Sequence, residues 1–140
     1  MDKIVSGKTY VLKSVQCQTV IDLSKGDNET IFAWQPLNTA NQKWKINKVG
    51  EKWTFENVGT AGIFLSFWGN SASGVQLKGS KTAVEWVIVP DKDNNTRYRV
   101  YNNGWVIDVA AGAKDNGTPV QLWIDRAHNY DNQLWEITEA

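Results

Sequence analysis

The chain is 140 residues long, carries fifteen Lys and Arg against fifteen Asp and Glu, and contains one Cys, one His and eight Trp. Its length suits one domain with a sizeable core, and its zero net charge offers no basic surface to nucleic acid or to an anionic membrane. Cys17 and His128 stand alone, which excludes an intramolecular disulfide and any metal centre built on several thiolates or imidazoles, so no metal or cofactor is expected.

The first residues, Met1-Asp2-Lys3-Ile4-Val5-Ser6, lack the apolar run of a secretory leader, and no segment reaches the roughly 18 apolar residues of a membrane helix. A cytoplasmic protein without membrane insertion is expected. Segment 10–15 mixes apolar and polar residues and leads into Val20-Ile21-Asp22-Leu23. The turn-rich stretch Ser24-Lys25-Gly26-Asp27-Asn28 separates these from Ile31-Phe32-Ala33-Trp34, and the set closes on Asn41-Gln42-Lys43-Trp44-Lys45-Ile46. The same order returns as segment 53–58, Phe64-Leu65-Ser66-Phe67, Val75-Gln76-Leu77-Lys78 and Val84-Glu85-Trp86-Val87-Ile88. It returns again as Tyr98-Arg99-Val100-Tyr101, Val106-Ile107-Asp108-Val109, Val120-Gln121-Leu122-Trp123 and Asn132-Gln133-Leu134-Trp135-Glu136-Ile137. No stretch keeps a helical period over three turns, whereas short apolar or alternating runs punctuated by turns read as strands. Three sets of four strands, in repeats of about 7–48, 49–91 and 92–140 within one domain 1–140, predict an all-β, threefold closed barrel capped by hairpins.

Gln42-Lys43-Trp44 and Gln133-Leu134-Trp135, each preceded by Asn and each following an Ile-Asp and an aromatic, resemble the Gln-x-Trp repeat of the ricin B-type lectin family. The resemblance runs from about Tyr10 to Ile137. It implies a β-trefoil fold and up to three sugar sites, one per repeat, for galactose or N-acetylgalactosamine on glycoproteins or glycolipids. The lack of disulfides and leader looks like the soluble lectins of fungal fruiting bodies, for which hemagglutination and defence are the implied roles. In the third repeat the family pattern falls on Asp108 as acceptor of adjacent sugar hydroxyls, Trp123 as stacking floor and Asn132 as the amide on a ring hydroxyl. Gln133 falls on the residue that orients the carboxylate, Gln121 on a polar position beside the ring and Arg126 on the rim. In the first repeat Asp22, Trp34, Asn41 and Gln42 match in the same order, with Phe32 in place of Gln121. In the middle repeat Ser66 replaces the Asp, Lys78 the stacking aromatic and Val84 the Gln, so no galactose site of this kind is expected there.

These residue types suit a sugar for physical reasons. One galactose face exposes C–H groups that can lie on an indole, and an ionised carboxylate can accept from two neighbouring hydroxyls as charge-assisted bonds. An Asn amide donates and accepts, so it reads the orientation of a hydroxyl, and an epimer leaves a partner unpaired. Such wet, shallow sites predict single-site affinities of about 4 to 7 kcal/mol, with avidity from two sites or a homodimer.

Each feature also has a structural reading. Trp44, Trp86 and Trp135 lie between apolar neighbours and are expected in the core; Trp68 and Trp105 are expected to pack, the alternative being that Trp68 lines a site for fucosylated or chitin-type glycans. Gln42 and Gln133 can satisfy turn backbone, and His128 is expected to be a loop residue. Catalysis is not expected, because glycosidases set two carboxylates across one bond and Asp22 and Asp108 occupy equivalent places in different repeats. The alternative outside the lectins is a β-trefoil protein-binding module or protease inhibitor with vestigial sugar pockets.

Overall fold

The structure, a computed structural model, describes residues 4–126 and 130–140. Its strands are β1 (Lys8–Ser14), β2 (Val20–Leu23), β3 (Ile31–Trp34), β4 (Trp44–Val49), β5 (Lys52–Asn57) and β6 (Phe64–Ser66), then β7 (Lys78–Ser80), β8 (Val87–Pro90), β9 (Arg97–Asn102), β10 (Trp105–Val109), β11 (Thr118–Trp123) and β12 (Trp135–Glu139). Every strand pairs antiparallel with its neighbours. The fold is the expected all-β trefoil of three four-stranded repeats.

The first and fourth strands of the repeats close a barrel. β1 pairs β4, β4 pairs β5, β8 pairs β9, β9 pairs β12, and β12 returns to β1 from Tyr10↔Glu139 to Ser14↔Trp135. The seam between β5 and β8 is held by reciprocal backbone bonds of Trp53 and Trp86 at 2.8 and 2.7 Å. Alternation builds this wall: along β1, Tyr10, Leu12 and Ser14 point inward and the residues between them do not. Closure leaves few free edges, a stable answer for short strands.

The second and third strands form three hairpins, β2–β3, β6–β7 and β10–β11, that cap the barrel. They touch in a cycle, with Thr30 bridged to Lys78, Gln76 to Gln121, and Pro119 to Phe32. The closing tryptophans tie cap to barrel. Trp44, Trp86 and Trp135 are completely buried, and their indole N–H groups donate to the carbonyls of Ile21, Leu65 and Ile107, each at 3.1 Å. This satisfies the one polar atom of a large apolar side chain and makes Ile21, Leu65 and Ile107 equivalent positions.

Trp105 packs partly buried against the core as expected, but Trp68 does not: it is 55% exposed on the loop after β6, with the Lys78 Nζ 5.6 Å from its ring centre. Gly69, next to Trp68 in the loop that joins β6 to β7, has φ +78°, a conformation that suits glycine.

Candidate functional site

In the third repeat the register of β10 with β11 sets Asp108 opposite Gln121 and Val106 opposite Trp123. Opposed residues, and residues two apart, share a face of a sheet, so Asp108, Gln121 and Trp123 come together. The short 3-10 turn Asp131–Gln133 then brings Asn132 and Gln133 over the same spot before β12 begins. Asp108, only 3% exposed, accepts at Oδ2 from Asn132 Nδ2 and Gln133 Nε2, both at 3.1 Å, and at Oδ1 from Gln121 Nε2 at 3.2 Å. The same amides reach backbone: Asn132 donates to the Val109 carbonyl at 3.1 Å, and Gln133 to the Ile124 carbonyl at 2.8 Å while accepting from Arg126 N at 3.0 Å. Gln133 therefore positions both the carboxylate and the rim segment.

Asp108, Gln121, Trp123 and Asn132 line an open cleft of about 670 Å³, while Gln133 is fully buried. Trp123 is half-buried on one wall, and Arg126 stands on the rim, its guanidinium 4.8 Å from the centre of the Tyr130 ring. Gln16 comes from the first repeat and escapes a reading of the third alone, and Tyr130 and the turn Ala110–Gly112 of the third repeat also line the cleft. Gln16 reaches the cleft only because β1 closes on β12, a long-range pairing with no local signal. His128 lies outside the described residues.

The first repeat reproduces the arrangement. Asp22 faces Phe32 and Val20 faces Trp34 across β2 and β3, and the 3-10 turn Ala40–Gln42 carries Asn41 and Gln42. Asp22, 3% exposed, accepts from Asn41 Nδ2 at 3.0 Å and Gln42 Nε2 at 2.9 Å. Gln42 also donates to the Gln35 carbonyl at 3.0 Å and accepts from Leu37 N at 2.8 Å, and Asn41 donates to the Leu23 carbonyl at 3.2 Å. Phe32, half-buried, leans on Trp34 with ring centres 5.2 Å apart.

A neighbouring repeat approaches each indole through a left-handed glycine. A Cβ on Gly74 (φ +91°) would lie 3.7 Å from the Trp123 ring, and one on Gly117 (φ +90°) would lie 3.8 Å from the Trp34 ring. Asn116 Oδ1 also accepts from Gln35 N at 2.7 Å, tying the third repeat to the first-repeat site. Such backbone conformations suit glycine, which has no Cβ to clash.

The middle repeat differs from expectation in one respect. β6 pairs β7 with Ser66 opposite Lys78 and Phe64 opposite Ser80. Lys78 therefore occupies the place of Gln121 and Phe32, and Ser80, not Lys78, stands where the indoles of the other repeats stand. With Ser66, Ser80, Ala83 and Val84 in place of the carboxylate, indole and amides, the middle repeat lacks the set found in the other two.

Burial pushes the carboxyls of Asp22 and Asp108 above the ordinary carboxylate range, opposed mainly by the amides of Gln42 and Asn41 at one and of Gln133 and Gln121 at the other. Nearby cations, Arg126 at Asp108 and Lys25 at Asp22, add to the amides in favouring the charged form. Among the described residues no three His, Cys, Asp or Glu side chains group as metal ligands.

The family model described as ricin-type β-trefoil lectin domain-like matches residues 3–80 and 62–123. Among solved structures, the ricin B-like lectin of Macrolepiota procera, determined in complex with lactose, is 31% identical over 99% of this chain and 100% of that one, with a TM-score of 0.92. The Rhizoctonia solani agglutinin is 27% identical over 100% of both chains, with a TM-score of 0.85. A designed threefold-symmetric protein, 16% identical over 94% of this chain and 99% of that one, has a TM-score of 0.84 and bears on the fold alone. No curated protein sequence matches the chain.

Proposed function

The chain belongs to the ricin B-type β-trefoil lectin family, and from that membership we propose that it binds terminal galactose and N-acetylgalactosamine through one site in the first repeat and one in the third, without catalysing a reaction. The observation that carries this reading is the duplicated set: a buried Asp held by Asn and Gln amides, beside a half-buried Trp, at matching register positions in two repeats. The amides spend some of each carboxylate's acceptor positions and fix its plane, leaving the remainder for sugar hydroxyls. Trp34 or Trp123 supports the apolar face of the ring, and the second hydrogen of the Asn amide stays bound to the backbone, so the amide is oriented before the sugar arrives. That the relative from Macrolepiota procera was solved with lactose, a galactoside, supports the same sugar class. The carboxylates belong to separate hairpins, each with its own amides, so neither serves as acid or base to the other.

Glycan-array binding and galactose calorimetry on the wild type, Asp22→Ala, Asp108→Ala and the double variant test the reading. Each single variant is expected to keep one site and the folded double variant none. The exposure of Trp68 beside Lys78 favours one second reading, a glycan surface for other sugars in the middle repeat. Binding that survives the double substitution and is lost in Trp68→Ala would move the site there, and an array on which the folded wild type binds nothing would favour a protein partner instead.

A further inference from the structure

One wall of the third-repeat cleft comes from the first repeat. Val15 donates its backbone N–H to the Leu134 carbonyl at 3.0 Å, as Val58 donates to the Lys43 carbonyl at 2.9 Å. Leu134 and Lys43 each precede a closing tryptophan, so these bonds make Gln16 and Gly59 equivalent: each is the residue laid against the amide-bearing turn of the preceding site. At the first-repeat site that wall is bare backbone, for a Cβ on Gly59 would meet Asn41 N at 3.0 Å and the Ala40 carbonyl carbon at 3.1 Å. At the third-repeat site it is an exposed amide side chain lining the cleft.

The amide of Gln16 has a seat. Gly112, at φ +63°, lacks the Cβ that would fall 2.3 Å from Gln16 Nε2 and 3.8 Å from the Asn132 Cβ, so the amide rests in the space a side chain would fill, next to the sugar-reading Asn132. Its bond to the Gly112 carbonyl, 3.5 Å long, sits at the limit of a hydrogen bond and leaves the group able to turn toward a ligand. Ala111, beside it, adopts φ 53°, a left-handed conformation that a non-glycine residue holds only where the surroundings impose it.

We propose that Gln16 is a specificity-determining residue of the third-repeat site, where it reads the second sugar of a galactose-terminated disaccharide or longer glycan, while the first-repeat site takes the terminal galactose alone. This rests on the galactose reading above. An amide that both donates and accepts can meet a hydroxyl or an acetamido group on the penultimate sugar. One such bond in a wet cleft is worth roughly 3- to 10-fold in affinity.

Calorimetry with galactose and with lactose tests it, using Asp22→Ala to isolate the third-repeat site and Asp108→Ala to isolate the first. In Asp22→Ala lactose is expected to bind roughly 3- to 10-fold more tightly than galactose. Adding Gln16→Ala removes that gain while the galactose affinity stays the same, and in Asp108→Ala the two sugars bind alike. A lactose gain that survives Gln16→Ala, that is absent from the third-repeat site, or that is equal at the first-repeat site overturns the inference while leaving the galactose reading in place. Loss of all galactose binding in folded Asp22→Ala and in folded Asp108→Ala overturns the galactose reading itself, and this inference with it.

Discussion

Asp22 and Asp108 occupy matching places on β2 and β10, yet their surroundings differ. Asp22 receives two side-chain amide hydrogens, from Asn41 and Gln42, whereas Asp108 receives three, because Gln121 stands where Phe32 stands in the first repeat. A carboxylate offers about four acceptor positions, so about two remain at Asp22 and about one at Asp108. A sugar that needs two must displace Gln121, whose 3.2 Å bond is the longest of the three. On the proposed reading the first-repeat carboxylate has room for two sugar hydroxyls as it stands, whereas the third-repeat one would turn the Gln121 amide to the ligand and gain a further polar contact. Two sites with the same residue types can thus differ in selectivity through one neighbouring position.

The largest effect on this comparison is expected from the indoles. Trp123→Ala and Trp34→Ala each remove an apolar floor worth about 1.5 to 3 kcal/mol, so galactose binding at that site should fall roughly 10- to 100-fold by calorimetry, with the other site unchanged. Their stability costs should differ. Trp34 packs on Phe32, and its loss bares that ring, so thermal melts should show Trp34→Ala lowered more than Trp123→Ala. Equal melting points would mean that the Phe32 contact carries no stability.

A smaller effect follows from burial of the carboxylates. Both pKa values are raised, first by desolvation, so acid should neutralise Asp22 and Asp108 at a pH above the ordinary value of 3.8. With the carboxylates accepting from sugar hydroxyls as proposed, sugar binding should weaken as pH falls through that raised value. Stability should move the other way. Between 3.8 and the raised value the native state keeps a proton that the unfolded chain has released, so this contribution favours folding at the acid end and is lost as pH rises. Asp27, held at about 2 by its Thr30 hydrogen bonds, and Asp91, lowered by Arg99, act with the opposite sign. The measurement is therefore a difference: on acidification the wild type should gain stability relative to Asp22→Asn/Asp108→Asn while losing galactose affinity. Binding that persists unchanged below pH 3.8 would break the assignment of the charged carboxylates.

The contrast between the sites also marks what the amino-acid sequence could convey. Strand number and threefold order are legible from the repeated pattern itself, whereas the grouping of Asp22, Trp34, Asn41 and Gln42, or of Asp108, Gln121, Trp123, Asn132 and Gln133, is legible through the family resemblance, whose motif two repeats carry except at Gln121, where the first repeat has Phe32. In the middle repeat the expected alignment and the observed ladder differ by two residues. Val75 to Lys78 reads like the apolar end of the equivalent strand, but the ladder places Lys78 opposite Ser66. A slip of two residues keeps every side chain on its own face, so alternation cannot detect it once the aromatic marker is gone. Gln16 escapes for another reason: the turn it meets at Gly112 lies 96 residues further along the chain, reached only through closure of β1 on β12. Trp68 is expected to pack by default, as a large apolar side chain usually does, but Gly69-Asn70-Ser71 beside it marks a loop, and there it is exposed.

The smallest expected effect isolates the difference between the two carboxylates. Phe32→Gln places an amide opposite Asp22, as Gln121 stands opposite Asp108. In an Asp108→Ala background, where only the first-repeat site remains, the new amide should occupy an Asp22 acceptor position in the free protein and turn to a sugar hydroxyl in the complex. The exchange swaps one hydrogen bond for another and adds an orientation requirement, so galactose affinity should rise only about 2- to 5-fold, on the scale of a single net hydrogen bond. Discrimination against the C4 epimer glucose should rise with it, because an epimer leaves the reoriented amide without its partner. The substitution also removes the Phe32 ring from Trp34, so melting temperature is measured alongside. An affinity that falls in a fully folded variant would show that Phe32 contributes apolar contact to the ligand, and that the first-repeat site selects its sugar by a different wall rather than by a missing amide.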